Sequence, residues 1–125
     1  MDREDDKTIL DADRLLRRIS PQQIIRECGK VRPSSAAFKD DELSVNIESL
    51  MVEQCRELEE SLAGHSGFSL ASIRAGDVRK HNLPIVKDTD PPNDPAHGLV
   101  LGKKRGSFSK AMTLSCEWIV APTKD

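Results

Sequence analysis

Three prolines within five positions, Pro91, Pro92 and Pro95, constrain this chain more than any other feature. Each fixes its own φ and biases the preceding residue toward extended backbone, so neither a helix nor a central strand runs through them. They sit in the acidic run Asp88-Thr89-Asp90-Pro91-Pro92-Asn93-Asp94-Pro95-Ala96-His97, between the apolar runs Leu83-Pro84-Ile85-Val86 and Gly98-Leu99-Val100-Leu101. The pattern predicts two short strands joined by a stiff loop that is ordered without regular structure. Polar loops held by strands commonly carry function, which draws attention to His97.

The rest of the chain divides by its periodicities. Arg14 to Ile19 reads as a strand, although Ile9, Ala12, Leu15, Leu16 and Ile19 also match helical spacing. Ser20-Pro21-Gln22-Gln23 combines an N-cap, a first-turn proline and a capping-box glutamine, predicting a short helix that ends near Cys28 with Gly29 as its stop. Residues 31–41 have no sustained period and read as an ordered loop. Leu43-Ser44-Val45-Asn46-Ile47 alternates as a half-buried strand does. Asn46 then caps the best helix, 48–63, in which Ile47, Leu50, Met51, Cys55, Leu58 and Leu62 recur every three or four residues. Alternation from Phe68 to Ile73 predicts another strand, and residues 75–80 one helical turn. A C-terminal helix starts at a cap on Ser107 or Ser109, carries Ala111, Leu114 and Trp118 on one side, and runs to about Ile119.

Short strands separated by helices of unequal length predict an α+β domain, with a short mixed or antiparallel sheet packed against two main helices. Its limits are residues 14–121, between a polar N-terminal tail (1–13, frayed over 1–7) and a C-terminal tail (122–125). At 125 residues the length suits one hydrophobic core.

Composition excludes some functions. With 19 Lys and Arg against 21 Asp and Glu, the formal charge is −2, which disfavours a nucleic-acid module driven by overall charge. The basic residues do cluster, at Arg14, Arg17, Arg18, Arg26, Lys30 and Arg32 and again at Lys103, Lys104 and Arg105; these form either one patch or two ordinary solvated faces. Cys28, Cys55 and Cys116 are odd in number and widely spaced, which suggests reduced thiols rather than a disulfide framework or zinc knuckle. The polar start is the wrong chemistry for a secretory or transit peptide, and no apolar run is long enough to span a bilayer. A cytoplasmic location follows as the expectation.

Four arrangements deserve weighing as chemistry. His81, Asp88, Asp90, Asp94 and His97 supply metal-ligand types, but their spacing does not force convergence, and no metal or cofactor is assigned. Gly98-Leu99-Val100-Leu101-Gly102-Lys103-Lys104 is one residue short of a P-loop and has Lys104 where the hydroxyl belongs. A softer anion site remains, in which Lys103 and Lys104 precede the start of a helix. Arg32, Ser34 and Ser35 place a guanidinium and two hydroxyls within four residues, a set suited to anions or, more plainly, to turn hydrogen bonds. Ser34, Ser35 or a cysteine beside His97 would make a nucleophile and base, although no nucleophile-elbow motif occurs.

At Arg32-Pro33-Ser34-Ser35-Ala36-Ala37-Phe38, Leu43-Ser44-Val45 and Asp94-Pro95-Ala96-His97-Gly98-Leu99-Val100-Leu101-Gly102, the chain resembles a group of small, uncharacterised bacterial proteins. The patterns are R-P-S-S-x-x-F and D-P-A-H-x-x-V-x-G, and the resemblance spans most of residues 14–121. It implies a bacterial origin and a cytoplasmic location, and it carries no activity and no functional residue with it.

The expectation is thus a binding or accessory protein acting through a protein partner, with the Arg32 loop and the prolyl loop as its surfaces. The alternative is an enzyme on a phosphorylated or nucleotide substrate, with Arg32, Lys103 and Lys104 clamping phosphate and His97 as general acid or base.

Overall fold

Leucines on both faces of one strand set the architecture. In β1 (Arg14–Ile19) the side chains of Leu15 and Ile19 point to one side and that of Leu16 to the other, and all three are buried. A strand with apolar residues on both faces belongs in the interior of a sheet covered on both sides, and β1 lies there. The computed structural model describes residues 4–123. Its six-stranded sheet has the order β6-β7-β4-β1-β5-β8, with β4 Glu42–Ile47, β5 Ser69–Arg74, β6 Ile85–Lys87, β7 His97–Leu101 and β8 Glu117–Val120. Every pairing is antiparallel. A separate two-stranded sheet is the hairpin of β2 (Ile24–Glu27) and β3 (Lys30–Pro33). The fold is the expected small α+β domain.

One face of the large sheet contributes Leu15, Ile19, Val45, Ile47, Ile73 and Val100 to the main core. That core is closed by Phe108 and Met112 of α3 (Gly106–Ser115), by a 3-10 turn at Ser35–Phe38, and by Ile9. The opposite face packs Leu16 and Leu70 against Met51 of α1 (Glu48–Glu53), with Leu58 and Leu62 of a 3-10 turn alongside. A third short helix, α2 (Ala75–Arg79), follows β5.

Four local expectations are corrected. The helix expected at 48–63 stops at Glu53. Cys55 takes a left-handed φ of 56°, and the chain re-enters helical geometry only at Leu58–Leu62. Both pieces press apolar residues on the same cluster, so the spacing persists across the break. Asn46 does not cap this helix, because its Nδ2 is buried and donates to Ser61 Oγ at 2.9 Å.

The helix expected to follow Ser20 is only a 3-10 turn, Pro21–Gln23, in which Gln23 Oε1 does accept the Ser20 N–H. Cys28 and Gly29 both have positive φ and close the β2–β3 hairpin, with Glu27 opposite Lys30. A left-handed glycine serves a helix end and a hairpin equally well.

The C-terminal helix ends at Ser115, without the serine cap, and Trp118 lies in β8, where its Nε1 donates to the Val31 carbonyl.

The polar start is also packed over its described part. Ile9 is buried, and Asp5 accepts hydrogen bonds from Arg79 Nε and from the Ile85 amide at 2.9 Å. The expected fraying of residues 1–3, and residues 124–125 of the C-terminal tail, lie outside the described residues.

Candidate functional site

The Arg32 segment forms a site through what is packed beside it. β3 carries Arg32, and the 3-10 turn after it begins with Ser34 as its cap, the Ser34 hydroxyl accepting the Ala36 N–H at 3.0 Å. Arg17 staples that turn to the sheet, donating to the carbonyls of Ala37 and Ser44 and to Asp40. Burial of the Arg17 guanidinium lowers its pKa, and Asp40 opposes that shift. Phe38 anchors the turn in the core beneath α3.

Between this turn and α3 runs an open groove of about 510 Å³, lined by Ile25, Arg32, Ser34, Ser35, Lys39, Gly106, Ser109, Lys110, Thr113 and Leu114. Among the described residues three cations and no carboxylate line it. Glu27 approaches from the hairpin and meets Arg32 at 3.4 Å, with both side chains largely exposed, so the guanidinium is only loosely held. Ile25 and Leu114 give the groove apolar walls, and Leu114 is 72 % exposed. Thr113 is 6 % exposed, and its Oγ1 has no hydrogen-bond partner among the described residues.

Arg32, Ser34 and Ser35 are therefore together, as expected, and sequence reasoning missed Lys39, Ser109 and Lys110. A signal for the last was present. Gly106, Lys110 and Leu114 recur at four-residue intervals, the stripe of α3 opposite the buried Phe108 and Met112.

The expected phosphate clamp is not assembled. Lys104 is 8 % exposed and directs its Nζ into three carbonyls, those of Asp41, Val100 and Gly102. Burial lowers its pKa. This ammonium ties the end of β7 to the start of β4 and has no role at the surface. Lys103 is exposed but does not line the groove. The first basic run is also largely committed internally: Arg14 to Glu48 at 2.8 Å, Arg17 as above, and Arg18 to the Ser61 carbonyl.

His97 lies elsewhere. It pairs with Asn46 across β4 and β7, which sets its side chain on the sheet face that carries Leu16, away from α3. Its Nδ1 stands 3.0 Å from Asp88 Oδ2, a donor position for the ring, since a carboxylate accepts. The adjoining cleft among Leu16, Arg18, Ser44, Asn46, Ser61 and His97 has only about 10 Å³ of free volume. That is room for about one water molecule and not for a substrate. The His97 imidazole and the Arg32 groove thus lie on opposite faces of the sheet.

The prolyl loop is ordered as expected. Arg56 grips Asp94 with both Nη atoms at 2.7 Å, Asp94 accepts the Ala96 N–H, and Asn93 donates to Asp88. The residues weighed as metal ligands do not all gather: His97 meets Asp88, but His81 packs edge-on against Phe108, and among the described residues no three His, Cys, Asp or Glu side chains could hold an ion. Nor, among the described residues, is any helix long and apolar enough to cross a membrane. Comparison of the chain with protein-family models, with curated proteins and with solved structures finds no match in any of the three.

Proposed function

We propose that this chain is a small bacterial, cytoplasmic binding protein that takes an acidic, partly apolar segment of a protein partner in the groove between the Arg32 turn and α3. The observation that carries this reading is the composition of the groove: Arg32, Lys39 and Lys110 line it beside serines and apolar walls, with no carboxylate among the described residues that line it. Guanidinium and ammonium groups beside hydroxyls recognise carboxylates, while Ile25 and Leu114 reward an apolar neighbour in the ligand. No aromatic side chain lines the groove, so it lacks a stacking platform for single-stranded nucleic acid. The resemblance to small bacterial proteins supports the origin. The exposed thiols of Cys28 and Cys55 suit a reducing compartment.

The test uses two fluorescent peptides of equal length, one alternating Asp or Glu with Leu, the other alternating Lys with Leu. The acidic peptide is expected to bind with an affinity that falls as salt is added, and to lose that affinity with Arg32→Glu or Lys110→Glu. Equal binding of both peptides, or none of the acidic one, removes the proposal.

A further inference from the structure

Exposed large apolar side chains fall at only two places among the described residues. Leu114 stands on α3, one turn beyond Lys110. Leu10 and Val52, 68 % and 63 % exposed, flank a second furrow, between residues 8–13 and α1. The two places have opposite charge. The furrow is edged by Asp13, Glu48 and Glu53, and among the described residues no cation lines it. Arg14 neutralises Glu48, while among the described residues no Lys or Arg is ion-paired with Asp13 or Glu53. Asp13 is fixed by the Ser49 amide and hydroxyl, so its charge is held at the rim.

We propose that the partner of the α3 face is a second copy of this chain, whose acidic furrow receives the ridge formed by Lys110 and Leu114. The inference rests on reading the α3 groove as a docking surface, and it names the occupant. Leu114 enters between Leu10 and Val52, and Lys110 meets Glu53 and Asp13. An apolar helix ridge laid into a groove with complementary charge at its rim is a recurrent mode of recognition. The two surfaces differ, so the contact is head-to-tail: each copy keeps one ridge and one furrow open, and growth ends only if a ring closes.

Sedimentation of the full chain, with reductant present to keep Cys28 and Cys55 from cross-linking, tests this. The apparent mass is expected to rise from 13.9 kDa as concentration increases from about 10 to about 500 µM, and to fall back in about 0.5 M salt. Lys110→Glu and Glu53→Lys change exposed residues, leave the thermal midpoint in place, and each weaken association by at least about tenfold. Leu114→Ala weakens it without altering charge. An equimolar mixture of the two charge variants regains association, because each reversed surface finds its reversed counterpart. A chain that stays at 13.9 kDa throughout, or a mixture that regains nothing, overturns the inference. If that monomer still binds the acidic peptide through Lys110, the docking groove stands with a different occupant; if it binds neither, both readings fall.

Discussion

Lys104 reaches back four residues to donate to the Val100 carbonyl at 2.8 Å, and the same ammonium serves the carbonyls of Asp41 and Gly102. Removing it takes one donor from each of three carbonyls at the β4–β7 end, of which that of Asp41 still accepts the Gly102 N–H at 3.0 Å. Lys104→Met is expected to cost about 2–4 kcal/mol in urea denaturation. Acidic-peptide affinity of the folded variant should match that of the parent. Unchanged stability with lost affinity would restore Lys104 to the role of a surface clamp.

Acid should loosen two ion pairs. The Arg56 guanidinium holds Asp94 below its ordinary value of 3.8, and Arg14 does the same for Glu48 below 4.5. A carboxylate depressed in the folded state contributes stability that is complete above its unfolded pKa and is lost as pH falls through the folded one. Stability should therefore be level from neutrality to about pH 5 and decline below it. Asp94→Asn is expected to cost about 1–2 kcal/mol at pH 7 and clearly less at about pH 3. An equal cost at both pH values would refute this assignment.

Cys28 and Gly29 form a two-residue hairpin loop with φ of 50° and 76°. Only the glycine takes that geometry freely, and asparagine is the favoured residue at the first position of such a loop. Cys28→Asn should raise stability by about 0.5–1 kcal/mol, seen as a higher thermal midpoint. A lower midpoint would show that the thiol itself contributes there.

Thr113 buries a hydroxyl with no partner among the described residues, and valine has nearly its shape. Thr113→Val is expected to stabilise the free protein by about 1 kcal/mol, measured by urea denaturation. Destabilisation would mean that the hydroxyl is satisfied in solution.

Much of the sheet was legible because its strands alternate or are continuously apolar. Leu43, Val45 and Ile47 mark β4, and the runs on either side of the prolines mark β6 and β7. The failures share a cause: local patterns fit two structures, and tertiary contacts choose between them. Cys28-Gly29 closes a hairpin where a helix end was expected, and Trp118 follows helical spacing although β8 pairs with β5. Nothing in Gln54-Cys55-Arg56-Glu57 signals the break after α1, since no proline or glycine stands there. Half of the candidate site was legible because Arg32, Ser34 and Ser35 are near neighbours in sequence. Lys110 comes from the far end of the chain and joins them only because Phe38 and Phe108 share one core.

The two banks of the groove belong to separate backbone ladders, the β2–β3 hairpin on one side and the main sheet, through α3, on the other. Trp118 pins the hairpin at Val31, near its turn, and Arg32 lies between that pin and the buried Pro33 at the hairpin base. Whatever spans Arg32 and Lys110 therefore acts as a tie bar. The hairpin is already fastened by Trp118 at Val31, by Arg26 at the Thr123 carbonyl and by Ile24 on the main core, and the bar adds a fastening from the hairpin to α3.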